Sequence, residues 1–178
     1  MRSAEPGRRA LLAAGRSLLS TEDLTKLSVN AIAARANMAK GSFYQHWPSR
    51  EAYFVALHRA FHDHLDDLVT TAIADLPPGE PRLTAGITAY LDGCLADPAT
   101  KGLLVQARTD AGLAPEVATR NATAAALVTA DLTAMGWDDP TPIATLLVAA
   151  IAETALQELA TTTPSPPLRE ALLRLVRR

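Results

Sequence analysis

The apolar residues of this chain recur at intervals of three and four, with no convincing alternating run, and most of its prolines fall at the ends of those runs. That phasing places one apolar stripe on each of a series of helices and leaves nothing suited to a half-buried strand. The strongest stripe is Phe54, Leu57, Phe61, Leu65 and Leu68, which predicts a long helix opening at Pro48–Ser49 and stopped by Leu76–Pro77–Pro78–Gly79. Upstream, Leu11, Ala14 and Leu18 predict a helix from about Pro6 to Leu19, followed by a turn containing Thr21–Leu27. Ser28 is placed to cap a short second helix whose buried face is Val29, Ile32, Ala33 and Ala36. Asn37–Met38 interrupts it, asparagine being tolerant of the left-handed conformation of tight turns. Downstream, helices are expected at about Pro81–Ala96, Pro98–Gly112, Pro115–Met135, Thr141–Thr161 and Pro167–Arg177, with Gly112 and Gly136 as C-terminal caps. The fold class is therefore all-α, about nine helices. The proline–glycine break after Leu76 is the clearest boundary.

Composition supports a folded helical chain: 48% of the 178 residues are hydrophobic, mostly alanine and leucine, and 20% are charged. Cys94 is the only cysteine, so no disulfide can form within one chain, which fits a reducing compartment and a cytoplasmic location. Gly15, Arg16 and Ser17 break the apolar pieces near the N-terminus, so no signal-peptide core is present. The longest apolar run, from Pro142, stops at Glu153 and reads as too short to cross a bilayer. Charge is unevenly distributed. Up to residue 64 there are nine Lys/Arg against five acids, a net of +4, and all four histidines; the remainder carries −6. A basic head on an acidic body suits contact with a polyanion.

The stretch ANMAKGSFYQHWPSR shows where that contact would be made. On a helix over about Ala39–His46, residues Ala39, Phe43, Trp47 and part of His46 share the side that can dock on Leu11, Val29, Ile32 and Phe54. Lys40, Gly41, Tyr44 and Gln45 share the other side. Two short helices joined by a tight turn, the second presenting polar groups, form a helix-turn-helix. The residue types suit DNA. Lys40 neutralises a phosphate, Gly41 allows close backbone approach, and Ser42, Tyr44 and His46 donate to phosphate oxygens. Gln45 can read a base edge, and Arg50, at the start of the next helix, is placed for a phosphate. With Ser28 at the head of the second helix, these make up the candidate DNA-binding set.

The run LSVNAIAARANMAKGSFYQHWPSREAYFVALH resembles the helix-turn-helix of the tetracycline-repressor (TetR) family of bacterial transcription regulators. The family's usual Gly-Val-Ser turn stands here as Asn37-Met38-Ala39, its Lys/Arg-Gly-Ser/Thr start as Lys40-Gly41-Ser42, its aromatic pair as Phe43-Tyr44 and its Pro-Ser-Lys-Glu as Pro48-Ser49-Arg50-Glu51. The resemblance covers roughly residues 6 to 60. It departs at Ala39, where a Ser or Thr cap is usual, and at Trp47, where Phe is commoner. It implies an N-terminal DNA-binding domain over 1–48 and a larger ligand-binding and dimerisation domain over 49–178, joined by the helix at 49–76. It further implies a homodimeric repressor that reads a near-palindromic operator in double-stranded DNA and is released by a small-molecule inducer.

The body offers weaker signals. Ile143–Leu159 is apolar nearly all round, and the resemblance puts the dimer face on the last two helices: Ile143, Leu147, Ala150, Ile151, Thr154, Leu168, Leu172 and Leu175. Tyr90, Cys94, Leu104, Arg108 and Trp137 are the candidate pocket residues, drawn from the central helices. His58 and His62 have metal-ligand spacing but no convincingly spaced third ligand, and no metal or cofactor is expected. No nucleophile–base or phosphate-loop signature points to an enzyme. The competing reading is an all-helical small-molecule binding or scaffold protein without operator binding, motivated by the missing cap at Ala39.

Overall fold

A computed structural model describes residues 4–20, 27–97 and 99–177. The expected turn at 21–27 thus lies outside the described residues except for Leu27, as does Pro98 at the head of an expected helix. Among the described residues there are nine α-helices and no strand: α1 (Ala4–Leu19), α2 (Val29–Arg35), α3 (Lys40–Tyr44), α4 (Arg50–Ile73), α5 (Glu80–Ala96), α6 (Thr100–Thr109), α7 (Ala114–Ala134), α8 (Pro140–Thr161) and α9 (Pro166–Arg174). The expected all-helical class is the observed one.

The chain forms two compact units. One comprises residues 1–62 and 97–114, the other 63–96 and 115–178. The first therefore contains α1–α3, the first half of α4, and α6. Its core is Leu11, Leu27, Ile32, Phe43, Tyr53 and Leu103, each at most 1% exposed. Arg16 Nε meets Asp97 Oδ2 at 2.6 Å, and a Cβ on Gly102 would lie 3.3 Å from Leu19, so α6 packs closely on α1.

In the second unit α5 packs along α8, and α8 turns back into α9. The α4 stripe holds through Leu65 at 1% exposed, but Leu68, expected inside, is 37% exposed. Gly93 receives these leucines: a Cβ there would come within 3.0 Å of both Leu65 and Leu68. Gly136 caps α7 as expected, at φ 85°, with Trp137 N–H donating to the Leu132 carbonyl and Gly136 N–H to that of Thr133. Gly112 is no cap. It lies inside a 3-10 turn at Ala111–Leu113, where its N–H donates to Asp110 Oδ1, and α6 ends earlier, at Thr109. The last helix also stops short of Arg177, at Arg174.

The expectation that the apolar run near residue 150 is too short for a membrane needs correction. The helix continues past Glu153 to Thr161, and its 22 residues are long and apolar enough to cross one by length and composition. Here it is a packed helix of the second unit with a buried charge. Glu158, 0% exposed, accepts Arg169 Nε at 2.7 Å and Nη2 at 2.8 Å, plus the Ser165 N–H at 2.8 Å. Arg169 Nη1 continues to Asp92 on α5 at 2.6 Å. One carboxylate thus locks the α8–α9 elbow, where Thr162 takes φ 56°.

Burial alone pushes the Glu158 carboxyl up, but the Arg169 hydrogen bonds, the Ser165 N–H and the Arg169 charge outweigh it and hold the group below its usual range. A carboxyl depressed on folding stabilises the fold above its unfolded pKa, and that contribution is lost as pH falls through the folded value. Wild type should therefore lose stability below about pH 4.5, and Glu158→Gln should lose less over the same range. Arg169→Ala, which strands the carboxylate, should cost roughly 3–5 kcal/mol. Denaturant titrations at pH 3 to 7 would check both.

Candidate nucleic-acid interface

The interface begins with the α2–α3 turn. Ser28 Oγ accepts the Ala31 N–H at 3.1 Å and so caps α2, as its position in the sequence suggests. At the other end Asn37 takes φ 53°, the Met38 N–H reaches the Ala33 carbonyl and the Asn37 N–H reaches that of Ala34. This left-handed cap ends α2 and redirects the chain within two residues. Ala39 then stands at the α3 N-cap, extended and with no side-chain hydrogen bond. Its place on the buried side of α3 is corrected here: it precedes the helix and is exposed.

The orientation of α3 comes from its aromatic side. Phe43 is 0% exposed, with ring centroids 5.6 Å from Trp47 and 5.1 Å from Tyr53. Trp47 and Tyr53 meet edge to face at 4.9 Å. Tyr53 closes the cluster by donating its hydroxyl to the Leu11 carbonyl at 2.8 Å, and burial raises that hydroxyl's pKa well above its usual value. Arg8 lies over the Trp47 ring at 5.6 Å, and Gly7 leaves room for His46 and Met38. The start of α1 thus flanks both ends of α3.

With that side buried, the opposite side is left to solvent. Lys40, Gly41 and Gln45 are exposed, Tyr44 is 49% exposed, and Ser42 and His46 are half-buried at the edge. A Cβ on Gly41 would meet nothing within 4 Å, and its φ is not left-handed. Neither packing nor backbone geometry therefore requires glycine there. Arg50, expected at a phosphate, is half-buried and tied into the fold. Its Nε donates to the Leu27 carbonyl at 2.8 Å and its guanidinium lies 4.4 Å over Phe54, so it braces the chain ahead of α2. Arg35 donates from Nη2 to Ser17 Oγ at 2.6 Å, a tie between α2 and α1 that the sequence did not single out.

The pocket candidates are divided between the two units. Tyr90 and Cys94 stand together on α5; burial, then the Cys94 thiol beside it, pushes the Tyr90 hydroxyl well up. Leu104 is buried in the first unit, Arg108 is exposed, and Trp137 Nε1 is bound to the Val176 carbonyl at 3.2 Å. The sequence reading missed Arg120. From α7 it joins Asp63 and, at 2.5 Å, Asp66, both on α4, while holding Glu116 one turn back. Burial pushes the Asp66 carboxyl up, against the pull of Arg120. Of the dimer-face set, Leu147, Thr154 and Leu172 are buried inside the chain, Ile143, Ala150 and Ile151 are half-buried, and Leu168 and Leu175 are exposed.

Residues 11–57 match the family model described as bacterial regulatory proteins, tetR family. An uncharacterized HTH-type transcriptional regulator of Mycobacterium tuberculosis is 30% identical over 133 residues, which are 75% of this chain and 65% of that relative. The chain thus spans slightly less than two thirds of that relative's length. Among solved structures, a putative TetR-family transcriptional regulator from a Rhodococcus species superposes with a TM-score of 0.80 at 19% identity, covering 96% of this chain and 97% of that one. The multidrug binding protein EbrR, complexed with imidazole, gives 0.77 at 24% identity over 96% and 90%. At these identities the likeness to solved structures is one of fold.

The uncapped α3 start gives a test. Ala39→Ser should supply a hydroxyl acceptor at the N-cap and stabilise the protein by about 1 kcal/mol. A thermal melt with unchanged or lowered midpoint would show that the backbone there cannot use a cap.

Proposed function

The chain belongs to the tetR family of bacterial regulatory proteins, and on that premise we propose that it is a ligand-responsive transcriptional repressor that binds a near-palindromic operator as a homodimer. The observation that carries the reading is the division of α3: an aromatic side fixed in a core, and a polar side offering Lys40, Gly41, Tyr44 and Gln45 to solvent around a glycine with open space above it. A glycine that the fold does not need is suited to a partner that must approach the backbone. In this reading Lys40 and Ser42 hold phosphates, Gln45 reads a base edge, Tyr44 packs on a base or backbone, and Ser28 and His46 border the contact. Arg50 supports the contact from behind.

The homodimer would use the solvent side of α8 and α9. Leu146 is 67% exposed, Leu168 38% and Leu175 64%, while Leu147 and Leu172 are already buried. The dimer face is thus proposed on a phase of α8 rotated toward Leu146, Ala149 and Ala150. The inducer is proposed to bind in the second unit, and the family relation together with EbrR's description as a multidrug binding protein supports a small organic ligand. The protein would act in the cytoplasm, as a binding protein rather than an enzyme.

Selection from random duplex DNA at two salt concentrations tests the reading. It should enrich a palindrome, with affinity falling steeply as salt rises. Lys40→Ala should weaken binding to every sequence and lower the salt slope by about one. Gln45→Ala should instead relax one base position, at a cost of roughly 1–3 kcal/mol. Normal binding by both variants would overturn the assignment of α3 as the reading helix.

Gly41→Ala separates folding from binding. It should stabilise the free protein by up to ~1 kcal/mol, as expected for a helical glycine facing open space, while weakening operator binding at least tenfold. Equal affinity of the two proteins in a fluorescence titration would show that nothing approaches the backbone at this point.

A further inference from the structure

We propose that Tyr53 is a positioning residue for DNA recognition, setting the placement of α3 against α1 through a hydroxyl seated in the space left by Gly15. This rests on the reading of α3 as the DNA-contacting helix. Tyr53 touches no DNA in this scheme; it acts through Phe43 and Trp47.

The observations meet at one side chain. Its ring, 0% exposed, lies under both residues that hold the buried side of α3, at 5.1 Å from Phe43 and 4.9 Å from Trp47. Its hydroxyl donates to the Leu11 carbonyl at 2.8 Å, in the helix that flanks α3. A Cβ on Gly15 would overlap that hydroxyl outright and stand 3.0 Å from the ring carbon bearing it. Gly15 has no left-handed φ to explain it, and glycine is disfavoured in a helix interior. The Tyr53 hydroxyl is what requires it.

The reason a tether matters is the shortness of α3. Five residues cannot hold a helix by their own hydrogen bonds, and the N-cap side chain contributes none. Ring packing supplies attraction but limited direction, since offset and edge-to-face contacts tolerate sliding. A hydrogen bond to a fixed helix carbonyl has a defined length and angle. It sets how far the aromatic cluster sits from α1, and so the pose in which Lys40, Tyr44 and Gln45 are presented.

The test uses the full chain without DNA first. Tyr53→Phe keeps the ring and deletes the hydroxyl. Amide hydrogen exchange at residues 43–47 should accelerate about tenfold, while α2 and the second unit keep wild-type rates. Gly15→Ala, which displaces the hydroxyl, should give the same local pattern. The double variant should exchange no faster than either single one, because both remove one contact. With operator DNA, the ratio of specific to non-specific affinity should fall about tenfold in Tyr53→Phe with the salt slope unchanged, since phosphate contacts are kept. Acceleration spread evenly over all amides, or α3 amides at wild-type rates, would overturn the tether. An unchanged affinity ratio despite faster α3 exchange would overturn its role in recognition. A wild-type chain that prefers no DNA sequence would refute the functional reading itself, with the exchange data still deciding the tether.

Discussion

A five-residue helix has too few internal hydrogen bonds to persist in water, so α3 exists because Phe43 is buried. That ring shares a cluster with Trp47 and Tyr53, and the cluster rests on α1 through Leu11. The polar side of α3 follows from this. Residues one and two positions from Phe43 along a helix cannot share its side, so burying Phe43 turns Gly41, Tyr44 and Gln45 outward, and Lys40, at the first position of α3, is exposed beside them. The core of the first unit and the surface it presents are therefore one arrangement seen from two sides.

Arginines brace both units, through different kinds of group. In the second unit, arginines face carboxylates: Arg82 with Asp131, Arg120 with Asp63 and Asp66, Arg169 with Glu158 and Asp92, and Arg177 with Glu80. In the first, Arg8 leans on an indole, Arg35 donates to a hydroxyl, and Arg50 Nε donates to a carbonyl. A ring, a hydroxyl and a carbonyl orient a cation without cancelling its charge. Arg16 meets the Asp97 carboxylate, and that pair serves the contact between α1 and α6. In the unit that carries α3, arginines thus serve as braces of the fold.

What the sequence disclosed was periodic or local. The Phe43–Trp47 spacing, the Ser28 cap, the left-handed Asn37 and the glycine at 136 each follow from one residue type meeting one backbone demand. What it hid depends on partners distant in the chain. Gly15 looks like a weak point in α1 until Tyr53, 38 positions later, fills the space beside it. Arg50 has the composition of a phosphate contact, and only the position of Leu27 shows that its Nε is engaged. The phase of α8 was illegible for another reason: a helix apolar on nearly every side carries no stripe to read, so sequence could not distinguish Leu146 from Leu147.

In the proposed reading that hidden phase bears on function as much as α3 does. The exposed polar side of α3 spans little more than one turn, and the few contacts available to it would give a single unit only weak hold on DNA. Joining two copies makes the second contact intramolecular, so affinity depends on whether the spacing of the two helices matches successive major grooves, about 34 Å apart. Exposed leucines on α8 and α9 are the means proposed here for fixing that spacing. In the same proposal a ligand in the second unit needs no contact with DNA to act. It needs only to favour a dimer geometry whose spacing misses the grooves, and its leverage is bounded by its preference for that geometry over the binding one. The same reasoning gives the braces around α3 a purpose. Spacing set at the dimer face reaches the DNA only if each α3 is rigid within its own unit, since a loose recognition helix would absorb the change.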